Sequence, residues 1–539
     1  MAAVKPVSKG ALMQKLVATS LASLMFAGTL INPTVLEAQS GTTTPIKHLV
    51  VIFQENISFD HYFGTYPKAL NPAGQPRFIA KPGTPSVNGY TDGLLYNNPN
   101  ALNTVNGDGA TNPFRLDRSQ ASTADQDHDY TPEQQAFHGG LMDSFPKYTG
   151  TPGPPPNGQP TTGLVMGYYD GNTVTAYWNY AQRFAMSDNS FGTNFGPSTD
   201  GAVNLISGQL NGVSDQVAAG ADVVSDGGGG FTLVSDADPI GDVCSTTTGA
   251  QVAFSGQNVG DLLNAAGISW GFFEGGFDLT VKNANGTTGC SRSTTSTVTM
   301  TNKADYIPHH QPFQYYTSTQ NLKHTRPTSA STVGINGDPG NHQYETHDFF
   351  DAINAGNFPT VSFLKAPGYE DGHAGYSDPL DEQTFVTTVI NFLQKQKDWA
   401  NTAVVIAYDD SDGWYDHQLG PIVNQSATAM DALTGPGQCG TGAAALAGVT
   451  VDHAQGRCGY GPRLPLLVIS PYAKKNYVDH SVTDQSSILR FIEDNWLDSQ
   501  RITGSFDALA GKLNVMFNFT SAPDTTPLIL NTSTGQPTY

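Results

Sequence analysis

The sequence predicts an α/β fold: a mainly parallel central sheet with helices on both faces, carrying a loop-rich cap or insertion. Three observations predict it. Several short runs are almost continuously apolar, as strands buried on both faces require. Helical amphipathic patterns alternate with those runs, which is the signature of a parallel sheet covered by crossover helices. Finally, residues 68–165 and 210–345 break the alternation and read as loops and inserted structure.

The runs are Ile46–Phe53 (IKHLVVIF), Ile268–Phe273, Thr360–Leu364, Ala403–Tyr408 and Leu464–Ser470. Between the third and fourth, Asp381–Trp399 reads as a helix with Phe385, Val389, Phe392 and Leu393 on one face. Thr173–Met186 and Ser486–Trp496 also read as helices. Within the first irregular region the Pro/Gly stretch Gly150–Gly163 reads as a surface loop. Without an internal repeat or a clean linker, residues 39–539 are expected to form a single elaborated domain, with the cap at about 210–345.

The N-terminus has the layout of a processing signal. Lys5, Lys9 and Lys15 lead into an apolar run from Leu16 to Ile31, and Leu36-Glu37-Ala38 offers a cleavage site. An uncleaved anchor is the alternative, but Asn32 and Pro33 close a run too short and too interrupted by Ser and Thr to favour it. A signal peptide over residues 1–38 predicts a secreted or periplasmic protein with no stable membrane anchor. The chain has 47 Asp and Glu against 26 Lys and Arg, a formal charge of −21. Loss of three Lys and one Glu with the signal takes the mature chain to about −23. Such a surface repels nucleic-acid backbones, so nucleic-acid binding is not expected. The four cysteines, Cys244, Cys290, Cys439 and Cys458, follow no zinc spacing. In an exported chain they predict two disulfides, and of the three pairings the sequence-local one, Cys244–Cys290 with Cys439–Cys458, is expected.

Ligands of open α/β sheets bind beyond the carboxyl ends of the strands. After Ile46–Phe53 the chain reads Gln54-Glu55-Asn56; after Ala403–Tyr408 it reads Asp409-Asp410-Ser411-Asp412-Gly413. Carboxylate and amide oxygens converging from two strands make a hard-cation site that suits several divalent ions without selecting among them. Either segment alone reads more naturally as capping and turn chemistry, and only the two together favour the cation site. A third piece, Phe195-Gly196-Pro197-Ser198-Thr199-Asp200, places Ser198 at a helix start, where free N–H groups and the dipole stabilise phosphate oxygens. A plain N-cap would look the same. His128, His309, His310 and His373 lie in polar loops, where catalytic groups concentrate but solvated histidines are also common.

The strings HLVVIFQENISFDHYFG, FGPST, YIPHH, AYDDSDGWYDH and GYGPRLPLLVISPYAKKNYVDHS, in this order from about Ile46 to Trp496, resemble the bacterial acid phosphatase A and phospholipase C family of phosphoesterases. The resemblance implies an alkaline-phosphatase-like core with one metal. It implies Glu55, Asn56, Asp409 and Asp410 as ligands, with Ser198 as a nucleophile that also faces the metal. It implies His128, His310 and His373, with His309 beside them, as residues that contact phosphate or serve the leaving group. The family often has Pro where Asp200 stands, so Asp200 would either weaken dianion binding or cap the helix. Ser198, the Asp409-Asp410-Ser411-Asp412-Gly413 loop and Asn204-Leu205-Ile206-Ser207-Gly208-Gln209 resemble the phosphomonoesterase branch. A phospholipase C acting on phospholipid head groups is the alternative, and a catalytically silent binding protein a further one. A sulfatase is excluded, because neither Pro nor Arg follows Ser198 at the required places.

Overall fold

In the computed structural model, which describes residues 41–152, 161–440 and 455–538, the apolar runs assemble into one eight-stranded sheet. In chain order its strands are β1 (His48–Gln54), β2 (Ala185–Ser187), β3 (Trp270–Glu274), β4 (Gln343–Glu345), β5 (Val361–Lys365), β6 (Thr402–Tyr408), β7 (Leu466–Ile469) and β8 (Tyr477–Asp479). In space they run β4-β3-β5-β1-β6-β7-β2-β8. Only β7 is antiparallel to its neighbours, so the sheet is mixed but mostly parallel. Every residue of β5 and β6 is buried, which requires cover on both faces of the sheet and explains why apolar residues dominate both.

The helices that matter below are α1 (Phe59–Phe63), α2 (Tyr130–Phe137), α3 (Thr175–Arg183), α4 (Ser198–Ser207), α5 (Val259–Ala266), α6 (Thr346–Asn354), α7 (Pro379–Leu393) and α8 (Ser486–Trp496). Helix α8 matches the expected span. Helix α7 starts where Asp378 caps the N–H groups of Leu380 and Asp381 ahead of Pro379. It stops at Leu393 rather than Trp399, because Gln396 is extended and Lys397–Asn401 turns as a 3-10 segment into β6. Helix α3 is likewise shorter than expected. Phe184 leaves the helical region and Ala185–Ser187 becomes β2, paired with both β7 and β8, so tertiary strand pairing overrides local helical pattern.

The segment 210–345 is more than a cap. It supplies β3, β4 and α5 to the body of the fold. It also forms a small three-stranded sheet from Val213–Val217, Asp238–Pro239 and Gln251–Phe254. Both expected disulfides are formed, Cys244–Cys290 and Cys439–Cys458. The signal segment, and residues 153–160 of the Pro/Gly loop, lie outside the described residues. Among the described residues no helix is long and apolar enough to cross a membrane.

Candidate active site

Strands β1 and β6 are parallel neighbours with Gln54 opposite Tyr408, so Glu55-Asn56 and Asp409-Asp410 leave the sheet side by side at its carboxyl edge. Asn56 adopts φ 59°, a left-handed conformation that Asn tolerates better than most residues. There its backbone N–H donates to Asp409 Oδ1 at 3.0 Å, and the Asp410 N–H donates to the same oxygen at 2.7 Å. Ser198 is the first residue of α4, so its own N–H has no intrahelical partner. Helix α4 can approach the Asp409 loop because residue 201 is glycine.

These placements surround the Ser198 hydroxyl with oxygen. Glu55 Oε2 and Asp410 Oδ2 each lie 3.0 Å from Ser198 Oγ, and Asn56 Oδ1 lies at 3.2 Å. A hydroxyl has one proton to donate, so two of these three acceptors face it without a hydrogen bond. All four side chains are buried. An excess of hard, acceptor-only oxygens over protons is the donor set a divalent cation fits. Burial, then repulsion from Asp409, pushes the Glu55 carboxyl well above its ordinary range although Lys365 opposes this. Burial also raises Asp410, with His128 opposing and Asp409 adding.

Asp409 is placed differently from the other expected ligands. Its Oδ1 serves the two backbone amides, and its Oδ2 lies 3.5 Å from Lys365 Nζ. Lys365, the last residue of β5, is fully buried and also contacts Glu55 Oε1. No sequence motif singled it out, though a lysine closing an apolar strand run is the signal that could have done so.

The four histidines all gather here. The His128 ring has Nδ1 2.8 Å from the Gln126 carbonyl and 3.4 Å from Asp412 Oδ1, with Nε2 3.3 Å from the Asn56 amide nitrogen. Burial works against its charge, but Asp410, Asp412 and Asp125 hold its pKa well above the ordinary value. His373 donates from Nδ1 to the Ala374 carbonyl at 2.5 Å and stacks on Tyr376. Burial lowers its pKa to about 4. His310 Nδ1 lies 3.4 Å from Glu55 Oε1, and burial together with Lys365 pushes this imidazole well below its ordinary value. His309 packs edge-on to His310 and sits 3.9 Å from Asp236 and 3.6 Å from Asp238. Burial opposes its charge, but these two carboxylates raise its pKa.

Further residues that the motifs did not flag organise the site. Glu133 on α2 is buried between the Ser198 and Asp410 loops, accepting from the Gly196 N–H at 3.1 Å and from Ser411 Oγ at 2.6 Å. Asp236, from the inserted segment, accepts from the Thr199 N–H at 2.9 Å and from Thr199 Oγ1 at 2.8 Å. Arg463 clamps Asp60 at 2.9 Å and Asp416 at 3.1 Å, four residues after Asn56 and six after Asp410. Asp200 neither caps α4 nor joins the oxygen cluster. Its Oδ2 accepts from Asn194 at 3.2 Å, so the side chain turns from α4 toward the Asn194–Gly196 loop, and burial raises its pKa well above the ordinary value.

His and carboxylate groups able to hold a metal are the buried Glu55/His310/Asp371 and the group Asp125/His128/His373/Asp412, in which Asp125 is exposed and His128 half-buried. Of two other such groups among the described residues, Asp60/Asp416/His417 is already neutralised by Arg463, and Asp242/Cys244/His324 has its sulfur in a disulfide.

Oxygen donors, a helix-terminal serine and four histidines thus meet at the carboxyl edge of an α/β sheet. The chain belongs to the phosphoesterase family, whose model matches residues 46–497. It is 25% identical over 510 residues to a non-hemolytic phospholipase C of Burkholderia pseudomallei, covering 92% of this chain and 62% of that protein. It is 24% identical to a non-hemolytic phospholipase C of Pseudomonas aeruginosa, covering 89% and 58%. Against phospholipase C A of Mycobacterium tuberculosis the identity is 24%, covering 90% and 80%. The chain thus spans about three-fifths of the length of the first two relatives. Among solved structures, an alkaline phosphatase superfamily protein from Vibrio parahaemolyticus aligns over 83% of this chain and 82% of its own at 11% identity and TM-score 0.26. Murine ectonucleotide pyrophosphatase / phosphodiesterase 5 aligns over 64% and 95% at 12% identity and TM-score 0.28.

Proposed function

We propose that the chain is an exported, metal-dependent phosphoesterase of the phospholipase C type, in which Ser198 attacks phosphorus. The observation that carries this reading is the Ser198 hydroxyl held within 3.0–3.2 Å of three acceptor oxygens at the start of a helix. Glu55, Asn56, Asp410 and Ser198, with Asp409 beside them, would hold one divalent ion. When bound, that ion supplies Lewis-acid stabilisation of phosphoryl oxygens and favours the serine alkoxide.

The protein's own groups do the rest. Ser198 Oγ, its proton released to solvent as the alkoxide forms, makes a bond to phosphorus while the bond from phosphorus to the leaving oxygen breaks, and the α4 N-terminus faces the phosphoryl oxygens. His128, held in its charged form by Asp410, Asp412 and Asp125, gives a proton to the leaving oxygen. His310, 3.4 Å from Glu55 Oε1 beside the oxygen cluster, is placed to take a proton from the water that then hydrolyses the phosphoserine. His373 and His309 line the site as further phosphate contacts. Two disulfides and the signal-like N-terminus support export.

The named relatives favour a phospholipid as substrate over the phosphomonoester first expected. Ser198 and the Asp409–Gly413 loop keep the monoesterase as a second reading. The test compares phosphocholine release from phosphatidylcholine with phosphate release from p-nitrophenyl phosphate. Faster turnover of the lipid supports the first reading and faster turnover of the monoester the second. Ser198→Ala should lower kcat by ~10³-fold or more with the fold intact. Retained turnover in that variant would rule out the covalent route.

A further inference from the structure

Glu55 faces two ways. Its Oε2 belongs to the cluster around Ser198, at 3.0 Å, while its Oε1 meets Lys365 Nζ and lies 3.4 Å from His310 Nδ1. On that second side Asp409 Oδ2 is 3.5 Å from the same ammonium, and Asp371 Oδ2 is 4.0 Å from His310 Nδ1. Glu55, His310 and Asp371 present ligand atoms within 4.8 Å of one another, all of them buried. The site therefore contains two adjoining cation-compatible donor sets that share one carboxylate. Two-ion phosphoester centres hold their ions ~3.5–4 Å apart, a spacing that a bridging carboxylate spans. The second set already contains a cation, the fully buried Lys365 side chain, delivered from the end of β5 and packed 5.3 Å from the Phe53 ring.

We propose that the Lys365 ammonium fills the second cation position of a potential two-ion centre, so that the site takes one divalent ion and not two. The inference rests on the metal reading of the Ser198 cluster. It predicts that removing the ammonium creates a second ion site from Glu55, Asp409, His310 and Asp371.

The test uses Mn²⁺ as the probe on the full chain, with bound metal counted by mass spectrometry and metal–metal coupling read by electron paramagnetic resonance. The wild type should bind one ion per chain with an uncoupled spectrum, and Lys365→Arg should do the same. Lys365→Met should bind two with an exchange-coupled spectrum, and its melting temperature should rise on adding the second equivalent. Adding His310→Ala to Lys365→Met should return it to one ion. A folded Lys365→Met that stays at one ion overturns the proposal. So does a coupled two-ion spectrum in the wild type, a result that needs no variant to fold. No bound ion in the wild type overturns the metal reading itself, which separates the two failures.

Discussion

Gly201 lies so close to the Asp409 carbonyl that a Cβ on residue 201 would stand 2.2 Å from that oxygen. Backbone sits on both sides of the contact, so neither partner can swing away. Gly201→Ala should therefore push α4 from the β6 loop, costing ~1–3 kcal/mol of stability and separating Ser198 from Asp410. Thermal melts and kcat/KM on either ester check this. A variant with wild-type melting and turnover would mean that the helix does not need the close approach.

Glu133 joins the serine loop to the Asp410 loop through Gly196 and Ser411, and burial pushes its carboxyl up to about 8. A folded-state pKa above the unfolded value of 4.5 favours the neutral form, so its contribution to stability is complete below about 4.5 and is lost as pH rises through about 8. Glu133→Gln should flatten the stability profile across that window, and urea melts at pH 5, 7 and 9 measure it. An unchanged slope would place the titration elsewhere.

Asp236 reaches from the inserted segment to hold both the Thr199 N–H and hydroxyl while facing His309. Asp236→Ala should cost ~1 kcal/mol from the exposed helix terminus. It should also lower the His309 pKa, since the carboxylate that raises it is gone. Nuclear magnetic resonance titration of the histidine ring reads that shift, and an upward move would contradict the pairing.

The disulfides close chain separations of 46 and 19 residues. Loop-closure entropy gives ~4 kcal/mol for the longer and ~3 kcal/mol for the shorter. Paired Cys→Ser variants should lose stability in that order, as denaturant midpoints will report.

Much of this was legible in the sequence because burial on two faces leaves a plain trace. The apolar runs became β1, β3, β5, β6 and β7, each within two or three residues of its expected bounds. The oxygen donors were legible because they sit directly after two of those strands. What was hidden is non-local. Lys365, Glu133 and Asp236 act through partners hundreds or tens of residues away, and single charged residues in loops and strand ends carry no periodicity. Strand β2 was hidden for a related reason: Ala185–Ser187 is extended only because β7 and β8 flank it. The choice between a monoester and a phospholipid was not legible either, since the roles proposed for Ser198 and its neighbours concern the phosphoryl group common to both.

Arg463 ties the two ligand loops at their far ends, holding Asp60 beyond one and Asp416 beyond the other. The same guanidinium also donates to the Asp188 carbonyl at 3.0 Å, next to β2. A fork anchored at three points leaves the floor of the site no independent hinge. On the proposed function, substrates of different bulk would then be sorted by the segments bearing His309 and Asp236, while the floor keeps one geometry for the phosphoryl group. Changing that preference would accordingly be a matter of rebuilding the doorway.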